Sequence, residues 1–148
     1  MPHRYSINAR SDAAPTAVYD ALLRAGSWPL WSPIDSVTLA DGRDPWDRGR
    51  VGDVRLFRTG RALSRESIEE LEPDRRFVYI NPSGPFRSYR GQIELIPDGS
   101  GTRISWQAEF ETNIRLLGPF MRLYLLRFMR RMAWGLATYA ERPTMTSK

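Results

Sequence analysis

The chain has 148 residues, a hydrophobic fraction of 41%, no cysteine, one histidine and a formal net charge of +5. That length suits one domain with a real core, and the composition excludes a disordered polymer, a disulfide scaffold, a thiol nucleophile and a nitrogen–sulfur metal cluster. The positive charge does not indicate nucleic acid, because Lys148 is the only lysine and the arginines are interleaved with Asp and Glu without forming a basic block.

No uncharged apolar run is long enough to cross a bilayer, and Met1 to Arg10 carries no export pattern. The expectation is a soluble cytoplasmic protein, monomer or homodimer, without metal or cofactor. His3, near the terminus, is expected on the surface.

Arg4 to Ala9 alternates Tyr5, Ile7 and Ala9 against Arg4, Ser6 and Asn8, which predicts a half-buried first strand. Ser11 and Asp12 offer capping oxygens, and Pro15 suits the first turn of a helix ending near Gly26. The aromatic, proline-rich segment from Ser27 to Pro33 predicts a single helical turn or a tight corner. Ile34 to Ala40 reads as a second strand, and Asp41 to Gly49 as a polar loop in which Trp46 is either a clamp, the favoured reading, or an exposed ligand contact.

Val51 to Thr59 alternates, with Val54, Leu56 and Arg58 sharing one parity against Asp53 and Arg55. Leu63 to Leu71 is a charged strand, joined through Glu72-Pro73-Asp74 to an apolar strand from Phe77 to Ile80. After the loop Asn81 to Pro85, Tyr89, Gly91, Ile93 and Leu95 share one strand face. Gly84 reads as a turn position and Gly91 as a strand-packing one. Beyond the turn Pro97 to Gly101, a last strand places Ile104, Trp106, Ala108 and Phe110 on one face.

Gly118 to Arg142 predicts one long amphipathic helix that starts at Pro119 and stops before Pro143. It would run roughly 36 Å at about 1.5 Å per residue, and its internal arginines argue against a membrane span. Met121, Tyr124, Leu125, Phe128, Met132, Leu136 and Tyr139 form its apolar stripe. Gly135 leaves a gap on that side, so backbone or ligand is expected to approach closely there. A curved antiparallel sheet with a long helix across its concave face follows. Thr144 to Lys148 reads as a disordered tail.

Several segments carry a family resemblance: Trp28-Pro29-Leu30-Trp31-Ser32-Pro33, Val51-Gly52-Asp53, Glu70 to Tyr79, and Gly99-Ser100-Gly101-Thr102-Arg103-Ile104-Ser105-Trp106. Together they resemble the polyketide cyclase/dehydrase and lipid-transport family of the START-like, or SRPBCC, superfamily, which includes the birch pollen allergen. The resemblance covers about residues 3 to 141. It implies an α+β helix-grip fold over residues 1–143, with a seven-stranded antiparallel sheet around the C-terminal helix and two short helices after the first strand.

The resemblance also implies a cavity for a polyketide, lipid or similar hydrophobic molecule, and it supplies no universal catalytic motif. Parity and resemblance together nominate Trp28, Trp31, Tyr79, Asn81, Tyr89, Trp106, Phe110, Met121, Leu125, Phe128 and Met132 as its lining. Arg58 is a further candidate, for a ligand carboxylate or enolate.

A cofactor-independent aromatase/cyclase or dehydratase is the alternative reading. It needs proton-carrying groups, for which Glu69, Glu70, Asp74, Tyr79, Tyr89 and Glu109 are the available types, although Glu70, Asp74 and Glu109 read as solvated. Two inward polar groups within hydrogen-bond reach of each other would favour it. A further alternative is an interaction module using Leu123, Leu126 and Trp134 on the outer helix face.

Overall fold

A computed structural model describes residues 2–81 and 85–142. The expected turn at Gly84 and the expected tail at 144–148 lie outside the described residues.

The first strand, β1 (His3–Ser11), buries Tyr5, Ile7, Ala9 and Ser11 by simple alternation. Helix α1 (Pro15–Leu23) follows, then a 3-10 turn (Ala25–Ser27) running into the single-turn helix α2 (Trp28–Trp31). The remaining strands are β2 (Ser36–Leu39), β3 (Val54–Thr59), β4 (Ala62–Glu72), β5 (Arg76–Ile80), β6 (Phe86–Asp98) and β7 (Gly101–Thr112). A 3-10 turn (Arg115–Leu117) leads into the long helix α3 (Gly118–Ala140).

The strands form one antiparallel sheet in the order β1-β7-β6-β5-β4-β3-β2, so every neighbour except the β1–β7 pair is consecutive in the chain. This is the helix-grip arrangement. Helix α3 packs chiefly along β1 and touches α1, α2 and β7. None of the described helices is long and apolar enough to cross a membrane.

The structure corrects several sequence expectations. Ser11 and Asp12 do not cap α1, whose N-cap is Ala14 with no side-chain bond. Instead the Ser11 hydroxyl donates to the Ala137 carbonyl at 2.8 Å, and the Asp12 amide donates to the Glu141 carboxylate at 2.8 Å, tying the end of β1 to the end of α3. His3 is part-buried rather than free at the surface, stacking on Phe110 at 5.4 Å between ring centres.

The inward parity of β3 is the reverse of the expected one. Arg55 and Phe57 are buried, while Leu56 and Arg58 are exposed. Burying an arginine's charge is costly without partners. Here the partners exist, on α1: Arg55 Nη1 and Nη2 donate to the carbonyls of Leu22 and Leu23 at 3.0 and 2.8 Å. Those are end-of-helix carbonyls that lack intrahelical donors and sit at the negative end of the helix dipole.

At Gly135 the close approach is made by backbone. A methyl group built there would collide with the Trp31 carbonyl oxygen, so α2 and α3 meet main chain to main chain. Trp46 acts as the expected clamp, its ring lying against Gly26 and its carbonyl accepting from Arg24 Nη1 at 2.7 Å.

Candidate functional site

Because α3 packs mainly along β1, the middle of the sheet is incompletely covered. A cavity of about 280 Å³ lies there, between β3–β7 on one side and α2 and α3 on the other. Small-molecule sites span roughly 300–1,000 Å³, so this one lies just below that range.

The walls are mostly apolar. Phe57 comes from β3, Trp106 from β7, Trp28 from α2, and Met121, Leu125, Phe128, Met129 and Met132 from α3. The methionines are adaptable wall material, since an unbranched thioether fits irregular surfaces. Trp28 sits among rings, 4.8 Å from Trp31, 5.3 Å from Phe57 and 6.1 Å from Trp106 between centres.

Two polar features interrupt the walls. The first is a tyrosine cluster on the side of β1, β5 and β6. The hydroxyls of Tyr5 and Tyr89 are hydrogen-bonded to each other, and Tyr79 accepts from Trp106 Nε1 at 2.9 Å. Burial, with further contributions from neighbouring groups, raises the pKa of all three phenols, so they remain neutral in physiological solution. Gly91 makes the cluster possible, because a side-chain carbon there would overlap the Tyr79 ring across the strand pair.

The second feature is Glu66 on β4, a half-buried residue whose carboxyl lines the cavity. Burial pushes its pKa up to about 8, against the opposing pull of Arg55. Burial also lowers the Arg55 guanidinium to about 10, leaving it charged at neutral pH. Arg55 lies between two rings, 5.6 Å from the centre of Trp28 and 5.3 Å from that of Phe77, in cation–π range.

Of the residues nominated from sequence, Trp28, Tyr79, Asn81, Tyr89, Trp106, Met121, Leu125, Phe128 and Met132 all line the cavity. Trp31 does not. It packs on Trp28, donates from Nε1 to the Ser27 hydroxyl at 3.0 Å, and borders a shallow outer groove with Trp134. Phe110 stands behind the lining, stacked on Tyr89 at 6.0 Å. Arg58 faces outward, and its Nε lies 3.4 Å from the Gly60 carbonyl. Leu123 and Trp134 are exposed on the outer face of α3, whereas Leu126 is part-buried against the core.

Phe57, Glu66 and Met129 line the cavity without having been nominated. Met129 had a visible signal, four residues after Leu125 and three before Met132. Glu66 had a weaker one, sharing strand parity with the apolar Ile68. Among the potential acids, Glu69 and Glu70 are on the outer side, ion-paired with Arg90 and Arg76. No group of three or more metal-ligating side chains converges among the described residues.

The fold is shared with proteins of distant sequence. The Zhui aromatase/cyclase from Streptomyces sp. R1128 superposes with a TM-score of 0.78 at 14% identity, covering 96% of this chain and 95% of that one. A START superfamily protein from Mycobacterium smegmatis gives 0.75 at 14% identity, with 94% and 97% covered. A major latex-like protein from Panax ginseng gives 0.75 at 14% identity, with 95% and 99% covered. No curated protein sequence matches the chain significantly. Residues 2–141 match the family described as polyketide cyclase/dehydrase and lipid transport, and the chain belongs to that family.

Proposed function

We propose that this protein binds an uncharged, largely apolar small molecule in the cavity between the sheet and α3. The supporting observation is the apolar void itself. Protein interiors are packed like organic crystals, with few gaps larger than a water molecule. A ligand seated there takes the apolar lining out of water, at about 25 cal/mol per Å² of apolar surface covered. Family membership supports the same reading, since the family description joins polyketide chemistry with lipid transport.

The alternative, a cofactor-independent cyclase or dehydratase acting on such a molecule, draws on polar groups inside the walls. The Tyr79–Trp106 and Tyr5–Tyr89 pairs are within hydrogen-bond reach, and Glu66 carries a proton available near neutral pH.

Native mass spectrometry of protein isolated from its own host, with a denatured control and solvent extraction, tests the binding reading. A released apolar mass is expected. A spectrum of bare protein that also fails to take up added naphthalene-sized molecules would refute it. Incubating any released molecule with fresh protein separates the readings, because a dehydratase would return a product lighter by one water.

A further inference from the structure

Glu66 and Arg55 are cross-strand partners in the β3–β4 register, the arrangement in which opposite charges usually meet. They form no ion pair. Arg55 turns toward α1 and commits Nη1 and Nη2 to the Leu22 and Leu23 carbonyls, while its Nε is buried without a hydrogen-bond partner. Glu66 is half-buried and lines the cavity, and its carboxyl makes no side-chain hydrogen bond or ion pair among the described residues. Nearby, Tyr79 accepts from Trp106, and Tyr89 is engaged with Tyr5.

We propose that Glu66 is the polar recognition point of the cavity, donating a hydrogen bond from its protonated carboxyl to a carbonyl oxygen on an otherwise apolar, uncharged ligand. The inference rests on the binding reading above and adds the ligand's chemical class. A ligand that fills the cavity displaces the water that reaches this half-buried carboxyl, and an acid proton then left among aromatic and thioether walls without an acceptor is costly. A ketone, aldehyde or ester oxygen supplies that acceptor. A carboxylate ligand could also accept, but it would have to leave water for mostly apolar walls, and Arg55, the cation across the strand pair from Glu66, is already bonded to backbone carbonyls.

The charged and titratable groups around Glu66 are Arg55 from β3, Tyr79 from β5, Tyr89 from β6 and Tyr124 on the cavity wall from α3. Across physiological pH the buried phenols stay neutral and Arg55 stays charged, so the carboxyl is the group that titrates. Its acid form is populated at neutral pH because burial outweighs the attraction of Arg55.

Binding of 2-acetylnaphthalene and of its hydrocarbon counterpart 2-isopropylnaphthalene, followed by quenching of tryptophan emission, tests this. The ketone should bind about tenfold more tightly at about pH 6, and the preference should disappear at about pH 9.5 as the carboxyl loses its proton. Glu66→Gln should keep the preference at both pH values, because an amide donates and does not ionise. Glu66→Leu should remove the preference, read as the ratio of the two affinities in that variant. Equal affinity for both probes in the unmodified protein, or a preference that survives Glu66→Leu, would overturn the role of Glu66 and leave the cavity reading standing. Failure of both probes to bind would overturn the cavity reading and this inference with it.

Discussion

The carbonyl of Trp31 occupies the space that a side chain on Gly135 would fill, so the single turn of α2 is keyed into the back of α3. The obstacle is backbone on both sides and has little freedom to yield. Gly135→Ala should therefore cost about 2–3 kcal/mol despite the better helix propensity of alanine. Thermal denaturation should show a midpoint lower by roughly 5–10 °C. An unchanged midpoint would mean the two helices can slide apart freely.

Phe128 lines the cavity from α3 and stacks on Tyr124 at 5.8 Å. Enlarging it to tryptophan should fill cavity volume rather than disturb packed core. Phe128→Trp is expected to weaken 2-acetylnaphthalene binding by about tenfold or more, with circular dichroism and melting nearly unchanged. Titration calorimetry giving the original affinity would remove Phe128 from the site.

Arg55 binds the end of α1 to the sheet through two charge-assisted hydrogen bonds. Arg55→Met keeps much of the side-chain bulk and loses both bonds, for an expected loss of about 3 kcal/mol in urea unfolding. Removing the cation should also push the Glu66 pKa higher still, since Arg55 is the influence that holds it down. Carbon-detected NMR titration of the Glu66 carboxyl reads that change, and a downward shift would contradict the electrostatic picture.

The same carboxyl links stability to pH. Its pKa is about 8 in the folded chain against an ordinary 4.5, so the folded state holds the proton more tightly. Its stabilising contribution is then complete below about pH 4.5, drains away as pH rises toward about 8, and is flat above. The unmodified protein should lose more urea resistance between about pH 5 and pH 9 than Glu66→Gln does. Parallel slopes for the two proteins would show that Glu66 titrates as it does in the unfolded chain.

The sequence was most legible where local pattern and tertiary role agree. In β1 and β7 the apolar residues of each alternation are the buried ones, and the α3 stripe located most of one cavity wall. It was least legible where a partner distant in sequence changes the cost of burial. Nothing near Arg55 announces the Leu22 and Leu23 carbonyls on α1 that let it point inward, so alternation offers Arg58, on the opposite parity, to the cavity. Phe110 and Trp31 failed differently. Both belong to the aromatic core, but alternation and helical position indicate which way a side chain points, and cannot separate the layer that touches the cavity from the layer behind it.

The irregularity in β4 has a consequence of its own. Pairing with β5 slips between Ile68 and Glu70, so Ile68 opposes Tyr79, Leu71 opposes Phe77, and Glu69 is the extra residue. Ahead of the slip even-numbered side chains point inward, and after it odd-numbered ones do. One strand therefore holds two independent reading frames, with Glu66 governed by the first and the outward acids Glu70 and Glu72 by the second. Loss of a single residue at Glu69 would merge the two frames into one plain alternation, leaving Ile68 and Leu71 inward and Glu70 outward. In a lineage of such proteins, the cavity side of β4 is free to change its chemistry without rewriting the charged exterior of the same strand.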